Sequence, residues 1–228
     1  MLQNDLKQTT ARRRFLGTLA KGAAALGFMS LASPLRLNAE PVLPTENMNE
    51  SDSWFNKIKG KHKIVYDATN AHEAMPLAWS WVFLNTNNET GTMDNDLGVV
   101  VILRHEAIPL AMKDAMWPKY NFGKVFKLND PKTKAESTRN YFWNSQEGDL
   151  MITDWSIDRL QKRGVQFCVC NMAITVFSGI VGKEMGLKPE DVKKDWLANL
   201  QPGIQVVPSG VWAVNRAQEH GCSYCFAG

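Results

Sequence analysis

The chain has 228 residues, 44% of them hydrophobic and 21% charged, a balance that excludes a disordered, collagen-like or coiled-coil protein. Its formal charge of +3 is unevenly spread, because the first 39 residues hold six basic groups (Lys7, Arg12, Arg13, Arg14, Lys21 and Arg36) and one acid, Asp5. The remainder has 20 basic against 22 acidic residues, a net of −2, so nothing in the body favours nucleic acid or an anionic membrane.

The basic start reads as an address. Ala11-Arg12-Arg13-Arg14-Phe15-Leu16 precedes a mildly apolar run from Phe15 to Ser33 that contains Lys21. Such a run is too weak for a permanent membrane span and suits an export peptide, with Ala39 as the last residue before cleavage. The arginine pattern resembles the twin-arginine motif that directs folded proteins out of the bacterial cytoplasm. This predicts a signal peptide over 1–39, the twin-arginine translocase as a transient partner, and a periplasmic mature protein without a stable membrane span. Residues 40–60, with Pro41, Pro44 and no apolar period, read as a linker into a domain over 61–228.

Beyond the linker, strand-like and helix-like patterns alternate. His62 to Asp67 reads as a strand ending in an acid, and 71–86 carries Leu77, Trp81 and Leu84 at helical spacing. The unbroken apolar run Leu97 to Leu103 is expected of a strand buried on both faces. A helix is expected over about 108–116, a short strand or buried turn at Leu150 to Ile152, and a helix at 156–163 closed by Gly164. Val165 to Cys170 reads as a strand, followed by helices near 173–185 and 189–200 and a strand at Ile204 to Val207. Ser209 can cap a last helix ending at Gly221. This order predicts an α/β fold, a three-layer flavodoxin-like sandwich around a mostly parallel sheet. Only 120–146 breaks the alternation: it is polar and charged, yet carries Tyr120, Phe122, Phe126, Tyr141, Phe142 and Trp143. An excursion this long either packs its aromatics onto the core or serves as a lid or subunit contact.

The chain has no G-x-G-x-x-G, no phosphate-binding P-loop, no G-x-S-x-G elbow and no H-E-x-x-H, and no cofactor is expected. Of its four histidines, His72 and His105 are the best functional candidates, because both fall just past the carboxyl ends of strands, where open α/β sheets place ligands. The four cysteines come in two pairs, Cys168 with Cys170 and Cys222 with Cys225. Cys168 and Cys170 share a strand face unless the strand ends between them. Cys170 sits where a strand gives way to a helix, whose free N–H groups and partial positive charge favour a thiolate. The second pair has only three residues after it and no following His, so it neither opens a helix nor attaches a haem. Three readings stay open for the thiols: structural cysteines with or without a disulfide, a working thiol at Cys170, and a four-thiolate metal site.

Leu160 to Asn171, with its strand ending in Cys170, resembles the DsrE-like family. So do Gln201-Pro202-Gly203 leading a strand into Ser209-Gly210, and the closing Gln218-Glu219-His220-Gly221. Val101 to His105 resembles the family's second strand, which ends in His. The likeness spans about 62–224 and is strongest in the last third. It implies an α/β sandwich, a homo-oligomer, and kinship to sulfur-relay proteins in which a Cys carries a persulfide; Cys170 is the matching residue. Departures are Asn171-Met172 in place of a Gly-Asn, the second Cys168, the 120–146 excursion and the export signal, since the sulfur relays are cytoplasmic. The expected function is therefore a thiol or persulfide relay, or a redox protein, through Cys170 with His105 or His72 as proton partner and a sulfur-donor or redox protein as partner. The alternative is a non-catalytic oligomeric binding module whose cysteines are structural.

Overall fold

In the computed structural model residues 45–228 are described, so the export segment and residues 40–44 of the expected linker lie outside the described residues. The rest of the expected linker is not a linker. It forms helix α1 (Thr45–Trp54) and a 3-10 turn, Phe55–Lys57. Trp54, Phe55 and Ile58 are buried, and the Ser51 hydroxyl donates to the Val206 carbonyl at 3.1 Å. The helix thereby covers an edge strand that would otherwise offer unpaired backbone groups. Its apolar anchors crowd into its last turn and the turn beyond, which explains why no helical period is visible in the sequence.

Five strands follow: β1 (His62–Ala68), β2 (Leu97–Leu103), β3 (Gln166–Cys170), β4 (Ile204–Val207) and β5 (Ser223–Phe226). All pair in parallel, in the order β4-β3-β2-β1-β5. The sheet is thus wholly parallel, and the apolar run 97–103 is its central strand, with every residue buried. Helix α2 (Met75–Glu89) follows β1, and the short α3 (Met116–Lys119), α4 (Phe122–Val125) and α5 (Ile157–Lys162) lie between β2 and β3. Then come α6 (Asn171–Glu184), α7 (Pro189–Ala198) and α8 (Gly210–Glu219), the last capped by Ser209 Oγ, which accepts from the Trp212 N–H at 3.2 Å. Among the described residues no helix is long and apolar enough to cross a membrane.

The strand order explains the layers. From β1 to β4 the chain steps across the sheet in one direction, and right-handed crossovers put every intervening helix on the same face. The return from β4 to β5 runs the other way, so α8 falls on the opposite face. The two hydrophobic clusters match this division. Leu77, Ile174 and Trp196 pack with Val99, Val101 and Leu103, whereas Ala213, Ala217, Trp54 and Phe55 pack with Val65, Val100 and Ile102. The result is a three-layer α/β sandwich.

Two local expectations are corrected. The stretch expected as a helix at 108–116 is instead entered by a 3-10 segment, His105–Ala111, which ends where Met112 turns extended to form a bridge with Leu200. Leu150 to Ile152 is not a strand; only an isolated bridge joins Glu147 and Leu150. The chain end gains β5, whose Tyr224 and Phe226 remain exposed, so no buried apolar run announced it. The 120–146 excursion does pack its aromatics inward: Tyr120, Phe122, Phe126, Tyr141 and Phe142 are all buried.

Candidate functional site

Leu103 is level with Val169 in the sheet, so Arg104 comes level with Cys170, two residues past Ile102, the partner of Asp67 on β1. Arg104 turns toward β1 and grips Asp67 in a fork, Nε to Oδ1 at 2.5 Å and Nη2 to Oδ2 at 2.9 Å. Tyr224, carried by β5, donates its hydroxyl to the same Oδ2 at 3.0 Å. The Asp67 carboxylate is almost sealed, with side-chain exposure of 3% against 28% for Arg104. Burying it is tolerable because a delocalised cation and a hydroxyl satisfy its oxygens. Asp67 holds Arg104 firmly protonated, and its hydrogen bond is the main reason that the guanidinium is harder to deprotonate than usual. Cys170 lines a cavity with Arg104 and adds to the effect in the same sense. Room for Arg104 comes from Gly210 at the start of α8: a Cβ there would lie 2.5 Å from the Arg104 Cβ and 2.6 Å from its Cδ.

Cys170 is the N-cap of α6, and its Sγ accepts the Ala173 N–H at 3.2 Å. Capping turns the side chain out of the strand alternation. Cys170 packs in the α6 layer, whereas Cys168 packs in the α8 layer. The two therefore do not share a face, because the strand ends at Cys170. Cys170 is also more buried than a partly exposed thiol would be, at 6%, but it lines an apolar cavity of about 420 Å³. Arg104, His105, Phe177 and Val211 line the same cavity. His105 is exposed, in the left-handed region at φ 52°, with its ring edge-on to Phe177 at 5.7 Å. A left-handed non-glycine backbone costs about 1–2 kcal/mol; such strain tends to sit at functional positions.

His72 is placed elsewhere. It lines a separate cavity of about 620 Å³ between the end of β1 and the excursion, so the structure joins His105, and not His72, to the Cys170 cavity. Two of the remaining thiols, Cys168 and Cys222, are poor nucleophiles. Burial pushes the Cys168 thiol far up, with the nearby Cys170 adding to the effect. Burial lifts Cys222 to about 11, against the pull of Lys63. All four cysteines are free thiols, so neither pair is a disulfide. They divide between the two faces of the sheet, Cys168 and Cys222 on one and Cys170 and Cys225 on the other. Among the described residues no group of three or more His, Cys, Asp or Glu side chains could hold a metal ion.

Sequence reasoning missed Asp67, Arg104 and Tyr224 as a cluster. The only signal was a pair of strands each ending at a charged residue, one acidic and one basic.

No protein-family model matches the chain, and no curated protein matches it either. Among solved structures it is similar to a protein of unknown function, MTH1491 from Methanobacterium thermoautotrophicum, at 14% sequence identity and a TM-score of 0.39, covering 73% of this chain and 99% of that one.

Proposed function

We propose that the protein is a DsrE-like thiol carrier, exported by the twin-arginine route, that accepts and passes on sulfane sulfur at Cys170. The observation that supports this best is the setting of Cys170: an N-cap sulfur, level with a guanidinium, in the wall of an open apolar cavity. The Ala173 N–H and the Arg104 charge both stabilise negative charge on sulfur. His105 takes the Cys170 proton. The thiolate then attacks the outer sulfur of a donor persulfide, R–S–SH. A sulfur–sulfur bond forms to Cys170, the donor's own sulfur–sulfur bond breaks, and its electron pair leaves on R–S⁻, which recovers the proton from His105. No net oxidation occurs. The exposed Met172, Val176, Ile180 and Val211 around the cavity suit a protein as the donor.

Cys170→Ser is a clean variant for testing this, because serine is itself a favoured N-cap and keeps the start of α6 intact. Full-length reduced protein is incubated with inorganic polysulfide and mapped by peptide mass. The expected result is a gain of one sulfur atom on the Cys170 peptide, lost in Cys170→Ser. Sulfur found only on Cys225, or a Cys170 as inert as Cys168, would leave Cys170 as a structural cap and support the binding-module reading.

A further inference from the structure

The larger cavity, beside β1, is unrelated to the thiol chemistry and has its own character. Its volume of about 620 Å³ lies in the range of small-molecule sites, and it opens at the carboxyl ends of parallel strands, where such sites collect. Three buried aromatic side chains, Phe126, Tyr141 and Trp155, contribute to its wall. Around them stand two banks of exposed charge on different segments. Glu73 and Glu106 follow β1 and β2, whereas Lys127 and Lys134 belong to the excursion.

The other acids of this wall are already spoken for. Asp130 accepts from Arg139 Nε at 2.6 Å, and Asp149 is held by Arg139 at 2.6 Å and by Lys132 at 3.0 Å. Those contacts staple the excursion in place and leave Lys127 and Lys134 uncommitted: no ion pair joins either of them, or Glu73 or Glu106, to another described side chain. The backbone is bent to present this rim. His72, Glu73 and Ala74 are consecutively left-handed at φ 38°, 53° and 69°, and Lys127 and Lys134 are left-handed at 54° and 62°. No glycine relieves any of these five positions.

We infer that this cavity binds a small zwitterion with an apolar body, of the size of an apolar amino acid or dipeptide. Its ammonium would meet Glu73 and Glu106, its carboxylate Lys127 and Lys134, and its side chain the aromatic wall. A ligand of one charge alone would be repelled by one bank, and an uncharged apolar molecule would leave both banks unused.

The test is calorimetric titration of the full chain with leucyl-phenylalanine, its N-acetyl form, which lacks the ammonium, and its C-terminal amide, which lacks the carboxylate. The parent dipeptide should saturate, and each blocked form should bind at least about tenfold more weakly, as expected for the loss of a charge-assisted contact. Lys127→Gln with Lys134→Gln should abolish the penalty for amidation while leaving the penalty for acetylation. Glu73→Gln with Glu106→Gln should do the reverse. Both variants replace exposed side chains, so folding is preserved. Equal binding of all three dipeptides, or no saturation by the parent below about 10 mM, would overturn the inference.

Discussion

Replacing Arg104 by Met keeps most of its length and removes the charge that pairs with Asp67 and lines the Cys170 cavity. Breaking a fully buried ion pair from one side costs about 3–5 kcal/mol, because the other charge is left without compensation. Here Asp67 is 3% exposed but Arg104 is 28% exposed, and the Tyr224 hydroxyl stays on Oδ2. Water and Tyr224 together recover part of the loss, which brings the expected destabilisation to about 2–3 kcal/mol. Urea unfolding of Arg104→Met against wild type measures it. Adding Asp67→Asn to the same chain removes the stranded carboxylate and should restore at least about 1 kcal/mol. Gly210→Ala reaches the same contact from the other side. An alanine Cβ 2.5 Å from the Arg104 Cβ must push the arginine off Asp67, so a change that normally favours a helix should here destabilise by about 1–3 kcal/mol. A second readout belongs to the site. In a Cys225→Ser background, alkylation of Cys170 should slow about two- to fivefold in Arg104→Met, which is the effect of about 0.5–1 kcal/mol of lost charge stabilisation. A loss of stability below about 0.5 kcal/mol, with no rescue by Asp67→Asn and no change in alkylation, would refute the assignment of Arg104 as the shared counter-charge.

Two further outcomes are expected. Burial tends to raise the Asp149 carboxyl, but hydrogen bonds from Arg139, the Gln146 backbone and Lys132 outweigh it and hold the group down to about 2. A carboxyl depressed on folding adds stability that is complete above its unfolded value of about 4 and is lost as pH falls toward 2. Arg139→Met should therefore cost on the order of 1–2 kcal/mol at neutral pH, discounted because the guanidinium is a third exposed. That difference should shrink between pH 4 and 2 in urea melts, and a difference constant across this window would contradict the staple. For export, Arg12→Lys with Arg13→Lys should leave precursor in the cytoplasm on cell fractionation, and unimpaired secretion of that variant would reject the twin-arginine route.

Much of the fold was legible because its signals are local. The run Leu97 to Leu103 has no polar face, and only a strand covered on both sides tolerates that. Ser209 announced α8, and Cys170 was visible as the junction of strand and helix. The expected linker failed for the opposite reason: α1 is held by Trp54, Phe55 and Ile58 at its end and by Ser51 on a strand about 150 residues away, and neither contact leaves a period. The excursion's aromatics were plain in the sequence. Their role was not, since the same residues could have formed a lid, a subunit contact or the cavity wall that Phe126 and Tyr141 now line.

By itself the sequence determined most of the elements and their order, since periodicity and capping act within a few residues. It also singled out Cys170, His105 and His72 as candidates at strand ends, of which the first two line one cavity and the third another. Only the tertiary structure decided which charged groups meet. Asp67, Arg104 and Tyr224 converge because the chain returns from β4 to the far side of β1 and lays β5 beside it. That return is a property of the whole sheet, in which one crossover reverses direction, and no short stretch of residues records it. The same reversal puts α8 and Gly210 over Arg104, so the guanidinium that grips Asp67 is packed against by residues far along the chain from both.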